Sequence, residues 1–554
     1  MSRREGRPLD NAAPMFPVPP RLLAGRISSF RRELIHIHSD KCPQPKMSDE
    51  AQQLVIDFLG DAGSHGGAPV KRIDTHAALV FLAGDRVLKI KRAVRFPFLD
   101  FSTLGKRKAA CEAEIKVNRA FAPAIYRGVV PITRDGAGRL RVGGKDQPVE
   151  WAVEMRRFDE SQTLDHLAEA GRIDEALADR LGRAVAAAHR IAPSVTNAHF
   201  VQSLADIIAQ NEAELAAEPD LFSLDDLRAL AAATRDAFER VKPLLQVRER
   251  AGLVRRCHGD LHLGNVVLIE AKPVLFDAIE FDDRIATGDM LYDLAFLLMD
   301  LVERGLRQAA NIVFNRYLIE TQRIHDLDAL AALPLFMSVR AAIRAKVTAA
   351  RRKQSHAREK LSQDARSYAD FARDVLKPAK PTLVAVGGLS GTGKSQLARM
   401  LAPEIMPMPG AVVLRSDIER KAMFRAAETE TLPKSAYTAE VTAKVYATLA
   451  AKAKRVIAAG HSAIVDAVFA QAGERADIAT AAGSTDFMGL FLSAELQSRL
   501  ERVSARTSDA SDADKAVVQE QEKFELGRTN WARVDASGTP EETFIRARVA
   551  LGLE

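Results

Sequence analysis

CHGDLHLGNVVLIEAKPVLFDAIEF, residues 257–281, decides how this chain is read. Asp260 and Asn265 stand five apart in a loop between apolar segments, and Asp277 follows at the end of a strand, Pro273–Phe276. One carboxylate able to accept a hydroxyl proton, with Asn and Asp oxygens for a hard cation, is the minimum kit for phosphoryl transfer from Mg-ATP. An HGD tripeptide by itself is only a polar loop. The asparagine at its offset, the strand-end aspartate and GDMLYDLAF at 288–296 together raise it to a candidate site.

The Asp-x4-Asn spacing matches the catalytic-loop pattern of protein kinases. HGDLHLGN, FDAIEF and GDMLYDLAF together resemble the aminoglycoside phosphotransferase and choline kinase branch of the kinase-like fold. The resemblance implies that Asp260 positions and deprotonates the acceptor hydroxyl. It implies that Asn265 and Asp277 hold magnesium, and that His258 and Asp293 brace the loop.

Working toward the N-terminus, such a fold needs a lysine on a small-lobe strand and a glutamate on a helix to hold it. Ala77–Leu82 and Arg86–Lys91 read as two strands turning at Gly84-Asp85, a two-residue hairpin signal. Side chains alternate along a strand, so Lys89 and Lys91 share one face. Lys89 fits the family's V-L-K pattern better. Glu114, in a helix over Lys106–Phe121, is its expected partner, with Glu112 as the alternative. WAVEMRRF, 151–158, sits where the family places its adenine hinge, which implies backbone contacts from Glu154 and Met155. One departure stands out: no G-x-G-x-x-G precedes the lysine strand. Gly66-Gly67 and Thr75-His76-Ala77 are the nearest loop material.

Further elements fill the frame. Ala51–Leu59 reads as a helix, 126–131 and 149–155 as strands, and 162–247 as mostly helix. A strand–loop–strand unit covers 253–281, and long helices cover 289–375. The fold class over 47–375 is therefore α+β, a small β-rich lobe followed by a large helical one. LKPAKPT, 376–382, is a linker by its two prolines and two lysines.

Beyond it the pattern changes. Apolar runs at 383–386, 411–414, 463–465 and 488–492 alternate with helical segments, which implies an α/β domain over 383–554 with a parallel sheet. LVAVGGLSGTGKSQLARML, 383–401, carries G-x4-G-K-S between a strand and a helix, the context a P-loop requires. Gly388, Gly391 and Gly393 let backbone N–H groups wrap phosphates. Lys394 reaches the terminal phosphates, and the Ser395 hydroxyl binds magnesium. Asp466 ends the strand Ala463–Val465 and suits a role in holding magnesium through water.

Small-molecule P-loop kinases place the residue that takes the acceptor's hydroxyl proton where Asp417 stands, after the strand Ala411–Leu414. Arg420 and Lys421, one turn on, suit an acidic substrate or a phosphate. Arg499, Arg502 and Arg506 lie at offsets of three and four on one helix face. Their helix, ahead of a turn-rich segment, resembles the lid of gluconate-kinase-like and polynucleotide-kinase-like enzymes, and zeta-toxin kinases share the layout. That resemblance implies that Arg502 and Arg506 close on transition-state charge. Ser511-x-x-Asp514 reads as a capping box opening the next helix.

From about residue 50 to the C-terminus the order resembles bacterial proteins that fuse an aminoglycoside phosphotransferase-like domain to a P-loop kinase or ATPase domain. FLDFSTL (98–104), FLLMDL (296–301), GLSGTGKS and SDASDAD (508–514) add to the match. The expectation is a cytoplasmic kinase using ATP and Mg2+, with two nucleotide sites and a small-molecule hydroxyl as acceptor. The alternatives are a nucleotide-sensing regulator and, for the second domain, a nucleic-acid kinase.

Composition bounds the rest. Hydrophobic residues at 47% and charged residues at 27% of 554 exclude collagen-like, disordered and disulfide-scaffold classes. No apolar run approaches the roughly 18 residues of a membrane span. Three cysteines give neither a disulfide framework nor zinc spacing, which fits a reducing cytosol. The net charge of +6 sits mostly in residues 1–46, which hold nine basic and four acidic residues. The remainder is near neutral, which counts against a nucleic-acid footprint. Those 46 residues also hold seven of the 24 prolines and lack periodicity. They read as a disordered basic tail, or as sequence ahead of a true start at Met47.

Overall fold

The computed structural model describes residues 48–75, 77–96, 99–353, 357–505 and 510–553. The expected tail, 1–46, lies outside the described residues. The small lobe is built on six antiparallel strands in the spatial order Val70–Asp74, Ala78–Ala83, Arg86–Lys91, Gln147–Arg156, Tyr126–Arg134 and Leu140–Val142. The expected hairpin turns at Gly84-Asp85, with Ala83 opposite Arg86 and Gly84 at φ +56°. That left-handed conformation is what a tight two-residue turn demands.

Alternation along Arg86–Lys91 sends Leu88 and Ile90 into an apolar layer with Leu79, Phe81 and the first helix's Val55 and Leu59. Lys89 and Lys91 therefore take the opposite face, toward the helix Leu104–Phe121. Thr103 caps that helix by accepting from the Lys106 N–H. Its buried residues, Arg107, Cys111, Glu114 and Asn118, recur at helical spacing. The buried face is polar, which an apolar-periodicity argument does not detect.

Long helices at Glu175–Ile191, Phe200–Ala216, Leu224–Arg250, Met290–Glu303, Arg307–Thr321, Leu333–Arg352 and Arg358–Asp374 make the large lobe. Met290–Glu303 is apolar on nearly all sides because it runs through the centre, with Met290–Val302 buried throughout.

The second domain's sheet starts at Thr382, the last residue of the expected linker. It is wholly parallel, in the order Val412–Arg415, Ala463–Asp466, Thr382–Gly388, Asp486–Ser493, Ala532–Asp535. The first four strands follow the apolar runs. The fifth was not anticipated, because only Val534 of its four residues is buried.

The edge strand Val412–Arg415 is closed by the first domain. Asn315, on the helix Arg307–Thr321, accepts from the Val413 N–H at 2.7 Å and donates to Ala411 O at 3.1 Å. Asn311 donates to Ala411 O at 3.1 Å and Pro409 O at 3.3 Å. Amide side chains thus serve a strand edge that would otherwise need covering. Phe314 packs edge-on against His461 at 5.6 Å, and one buried apolar cluster runs from Val313, Phe314 and Tyr317 into Leu383, Val412 and Leu414. Asn315→Ala leaves the Val413 N–H buried without its acceptor. It is expected to lower the unfolding free energy by about 1–3 kcal/mol, read from denaturant melts of variant and parent. Among the described residues no helix is long and apolar enough to cross a membrane.

Candidate active sites

In the first domain the loop Cys257–Asn265 is held from below by Asp293. Its carboxylate accepts from the His258 N–H at 3.3 Å and the Gly259 N–H at 2.8 Å, and meets His189 Nε2 at 3.1 Å. Burial pushes the Asp293 carboxyl up, but the His189 hydrogen bond and the neighbouring His189, His258 and Arg340 charges outweigh it and hold it below its ordinary value. Gly259, at φ +81°, passes so close to Ala286 that a Cβ would lie 3.1 Å from that residue's Cα. His258 Nε2 meets Phe276 O at 2.9 Å, tying the loop to the strand that ends before Asp277. A carbonyl oxygen only accepts, so Nε2 is the donor, and burial lowers the His258 pKa.

This scaffold presents Asp260, which is 3% exposed. Asn265 Nδ2 donates to Asp260 O at 2.9 Å and to Oδ2 at 3.1 Å. Asp260 Oδ1 is buried without a hydrogen-bond partner among the described residues. A buried carboxylate oxygen in that state is costly unless something else supplies a donor or a cation.

Across from the loop, Lys89 Nζ bonds Glu114 Oε1 at 2.8 Å and Asp277 Oδ1 at 3.2 Å. Asp277 sits at φ +61°, a left-handed conformation that costs a non-glycine residue free energy. Its N–H donates to the Tyr126 hydroxyl at 3.2 Å. Lys91 joins the cluster, meeting Glu114 Oε2 at 2.6 Å and Glu280 Oε1 at 2.5 Å.

In the second domain Gly388, Gly391 and Gly393 carry φ of +141°, +85° and +88°. Two of the three also lack room for a side chain. A Cβ on Gly388 would lie 2.7 Å from Leu492 O, and one on Gly391 would lie 2.6 Å from Arg499 O. The helix opens at Lys394, whose Nζ donates to Leu389 O at 3.2 Å. Ser395 Oγ donates to Asp466 Oδ2 at 2.5 Å. Arg415 completes this group, with Nη2 3.1 Å from Ser395 Oγ and Nε 3.3 Å from Asp466 Oδ2. Asp417 lies just beyond. Burial raises its pKa; Arg415 and Lys394 pull it down and Asp466 pushes it further up.

Residues 80–333 match the family model described as the phosphotransferase enzyme family, and residues 383–526 match that of the AAA domain. The chain joins a phosphotransferase-family domain to a P-loop domain of the AAA type. An uncharacterized protein of Mycobacterium tuberculosis (strain ATCC 25618 / H37Rv) is 28% identical over 488 residues, covering 86% of this chain and 94% of that relative. A choline/ethanolamine kinase family protein from Mesorhizobium loti aligns at TM-score 0.37 and 15% identity, over 59% of this chain and 95% of its own. A gluconokinase from Sinorhizobium meliloti aligns at TM-score 0.24 and 19% identity, over 31% and 93%.

Within the phosphotransferase domain, Asp260 and Asn265 lie together, as do Lys89, Glu114 and Asp277. Glu112, the alternative to Glu114, points to solvent and pairs with Lys108 at 3.6 Å. Glu154 and Met155 are placed differently from the expectation. They lie inside the strand Gln147–Arg156, opposite Leu88 and Val87 on one side and Gly128 and Tyr126 on the other. Their backbone groups are committed to the ladder, and the segment that leaves it is Arg157–Asp159. Gly66-Gly67 precede the first strand altogether, so the turn between the first two strands begins at Thr75, whose hydroxyl accepts from the Ala78 N–H at 2.9 Å. His76 lies outside the described residues.

Within the AAA domain, Lys394, Ser395 and Asp466 lie at the C-terminal ends of the inner strands Thr382–Gly388 and Ala463–Asp466, with Asp417 following the edge strand beside them. Arg502 does not join them. Its guanidinium donates to Ala536 O at 2.7 Å, Gly538 O at 2.7 Å and Ser537 O at 3.3 Å, clamping the turn after the last strand. Arg506 lies outside the described residues. It is Arg499 that touches the phosphate loop, donating from Nε to Ser390 O at 2.9 Å and pairing with Glu522. Gln521 Oε1 accepts from the Ser390 N–H at 2.7 Å. Lys421 and Arg420 are also occupied within the chain, Lys421 by Asp512 at 2.6 Å and Arg420 by Ala436 O at 2.6 Å. Asp514 alone caps the helix Lys515–Gln521, through the Val517 N–H at 2.9 Å, so Ser511 is not its cap. Lys91, Glu280, Arg415 and Gln521 were not assigned roles from sequence.

Proposed function

We propose that this protein is an ATP-dependent kinase with two nucleotide sites, each passing a γ-phosphoryl group to the hydroxyl of a small molecule. The observation that carries the reading is the unsatisfied Oδ1 of Asp260, a buried acceptor beside Asn265 that an incoming hydroxyl would satisfy. Asn265 and Asp277 suit a hard cation by oxygen chemistry, and Lys89, braced by Glu114, suits a phosphate. In the second site Ser395 and Asp466 offer the oxygen pair, Lys394 the phosphate contact and Asp417 the proton acceptor. Bound Mg-ATP would supply the transferable group, with the cation neutralising its charge. Asp260 and Asp417 would each orient the acceptor hydroxyl and take its proton.

A regulator that senses nucleotide without transfer draws on one observation, the glycine-poor turn after Thr75 in the first domain. One screen separates the readings. Radiolabelled ATP is offered with pools of small hydroxyl compounds and of nucleic acids, using the parent chain, Asp260→Ala and Lys394→Ala. Label in a small molecule that disappears with one variant assigns both acceptor class and site. Label in no pool, with nucleotide still bound, favours the sensor.

The raised carboxyl of Asp417 carries a pH expectation. A base must be ionised to accept a proton, so turnover at the second site should fall as pH drops through that carboxyl's value. The acid limb of kcat/KM should then lie above the ordinary aspartate value of about 3.9. A pH–rate profile of the Asp260→Ala chain measures it, and an acid limb at the ordinary value would count against Asp417.

A further inference from the structure

Ser395 and Asp466 offer the second site an oxygen pair for a cation, yet a side chain of the same domain bridges them. Arg415 Nη2 donates to Ser395 Oγ at 3.1 Å, while Ser395 Oγ donates onward to Asp466 Oδ2 at 2.5 Å. Arg415 Nε lies 3.3 Å from that same Oδ2. The guanidinium thus engages the serine lone pair and the aspartate charge, the two things a hard divalent cation would need there. Its position is built into the sheet. Arg415 ends the edge strand Val412–Arg415, opposite Asp466 in the parallel ladder. Asn311 and Asn315 of the first domain hold the outer side of that strand. Arg415 and Asp466 are 8% and 4% exposed, so each charge depends on the other rather than on bulk water.

We infer that Arg415 gates the second cation site: its guanidinium keeps a bare divalent cation off Ser395 and Asp466, and gives way only to a cation that arrives with a nucleoside polyphosphate. The inference rests on the reading of Ser395 and Asp466 as the cation's oxygen pair. A divalent ion seated on those oxygens meets a positive charge fixed beside them. In a site this buried, solvent and salt screen that repulsion only weakly. Phosphates change the balance. They bring negative charge to the site and give the guanidinium charge-assisted partners in place of Asp466. Cation and nucleotide then favour each other's binding, and by linkage the coupling has the same size in both directions. For the proposed kinase, the consequence is that metal does not fill the site ahead of its nucleotide.

The test is equilibrium dialysis of Mn2+ against the full chain, with and without a non-hydrolysable ATP analogue. Asp277→Asn is carried throughout to weaken cation binding at the first site, since asparagine tolerates that residue's left-handed backbone. With Arg415 intact, Mn2+ should be retained at the second site only when the analogue is present. Arg415→Gln removes the charge and should bind bare Mn2+ at least about 10-fold more tightly. Arg415→Lys keeps a charge and should stay close to the parent. One readout is independent of any Arg415 variant: a parent chain that holds bare Mn2+ at this site as tightly as with the analogue overturns the inference. So does unchanged bare Mn2+ affinity in an Arg415→Gln chain whose melting curve shows it folded. If Asp466→Asn still weakens Mn2+ retention with the analogue present, the gate alone has failed and the oxygen pair stands. If Asp466→Asn leaves that retention unchanged, the reading of the oxygen pair falls with it.

Discussion

Replacing Asp260 by asparagine is expected to lower phosphoryl transfer from the first site by about 10²–10⁴-fold, the range a positioned general base contributes, while nucleotide affinity there hardly changes. Asparagine has nearly the aspartate's shape. Asn265 can still donate to the backbone carbonyl at 260, and Lys89 keeps Glu114 and Asp277. What is lost is the oxygen now buried without a partner, Asp260 Oδ1, and with it the means to take a proton. Single-turnover transfer on a Lys394→Ala background isolates this site, and titration with a fluorescent ATP analogue reads affinity. Turnover within a few-fold of the parent would remove Asp260 as the base and strengthen the sensor reading of this domain.

The first site was legible because its parts lie close in sequence or obey a simple period. Asp260, Asn265 and Asp277 fall within 25 residues, and strand alternation alone puts Lys89 and Lys91 on one face. Glu280 was not legible as a partner of Lys91. That contact joins positions 189 apart, and nothing local marks Glu280 as turned inward. The end of the strand Gln147–Arg156 is not legible either, because residues 154 and 155 continue its alternating pattern and only the partner strands show where it stops. The fifth parallel strand escaped for a related reason: an edge strand burying one residue in four has no apolar run to betray it.

The arginine helix shows a different limit. Offsets of three and four place side chains on one broad face, yet successive positions three apart are rotated by about 60° at 3.6 residues per turn. The helix Leu496–Ser504 lies between the phosphate loop and the turn at Ala536–Gly538, so that rotation separates the roles. Arg499 meets Ser390, and Arg502 meets the carbonyls of residues 536–538. Periodicity identifies a face, and only the neighbours on either side of it decide which arginine meets which group.

That division sets the second large expectation. Lys394→Ala should abolish nucleotide affinity and turnover at the second site together, by on the order of 10²–10³-fold in turnover. Lys394 heads the helix at the end of the phosphate loop and would contact phosphate in ground and transition states alike. Arg502→Ala should leave kcat at that site close to the parent value, because its guanidinium faces three backbone carbonyls and not the loop. Its cost should fall on stability, about 1–3 kcal/mol for acceptors left without their donor. Steady-state kinetics and melting curves on the two variants separate these outcomes. An arginine that closed on the transferring group would instead show a kcat loss of about 10³–10⁵-fold with ATP affinity retained. Such a result for Arg502 would mean that it abandons the carbonyls of residues 536–538 during turnover, and that the helix Leu496–Ser504 rotates toward the phosphate loop when substrate is bound.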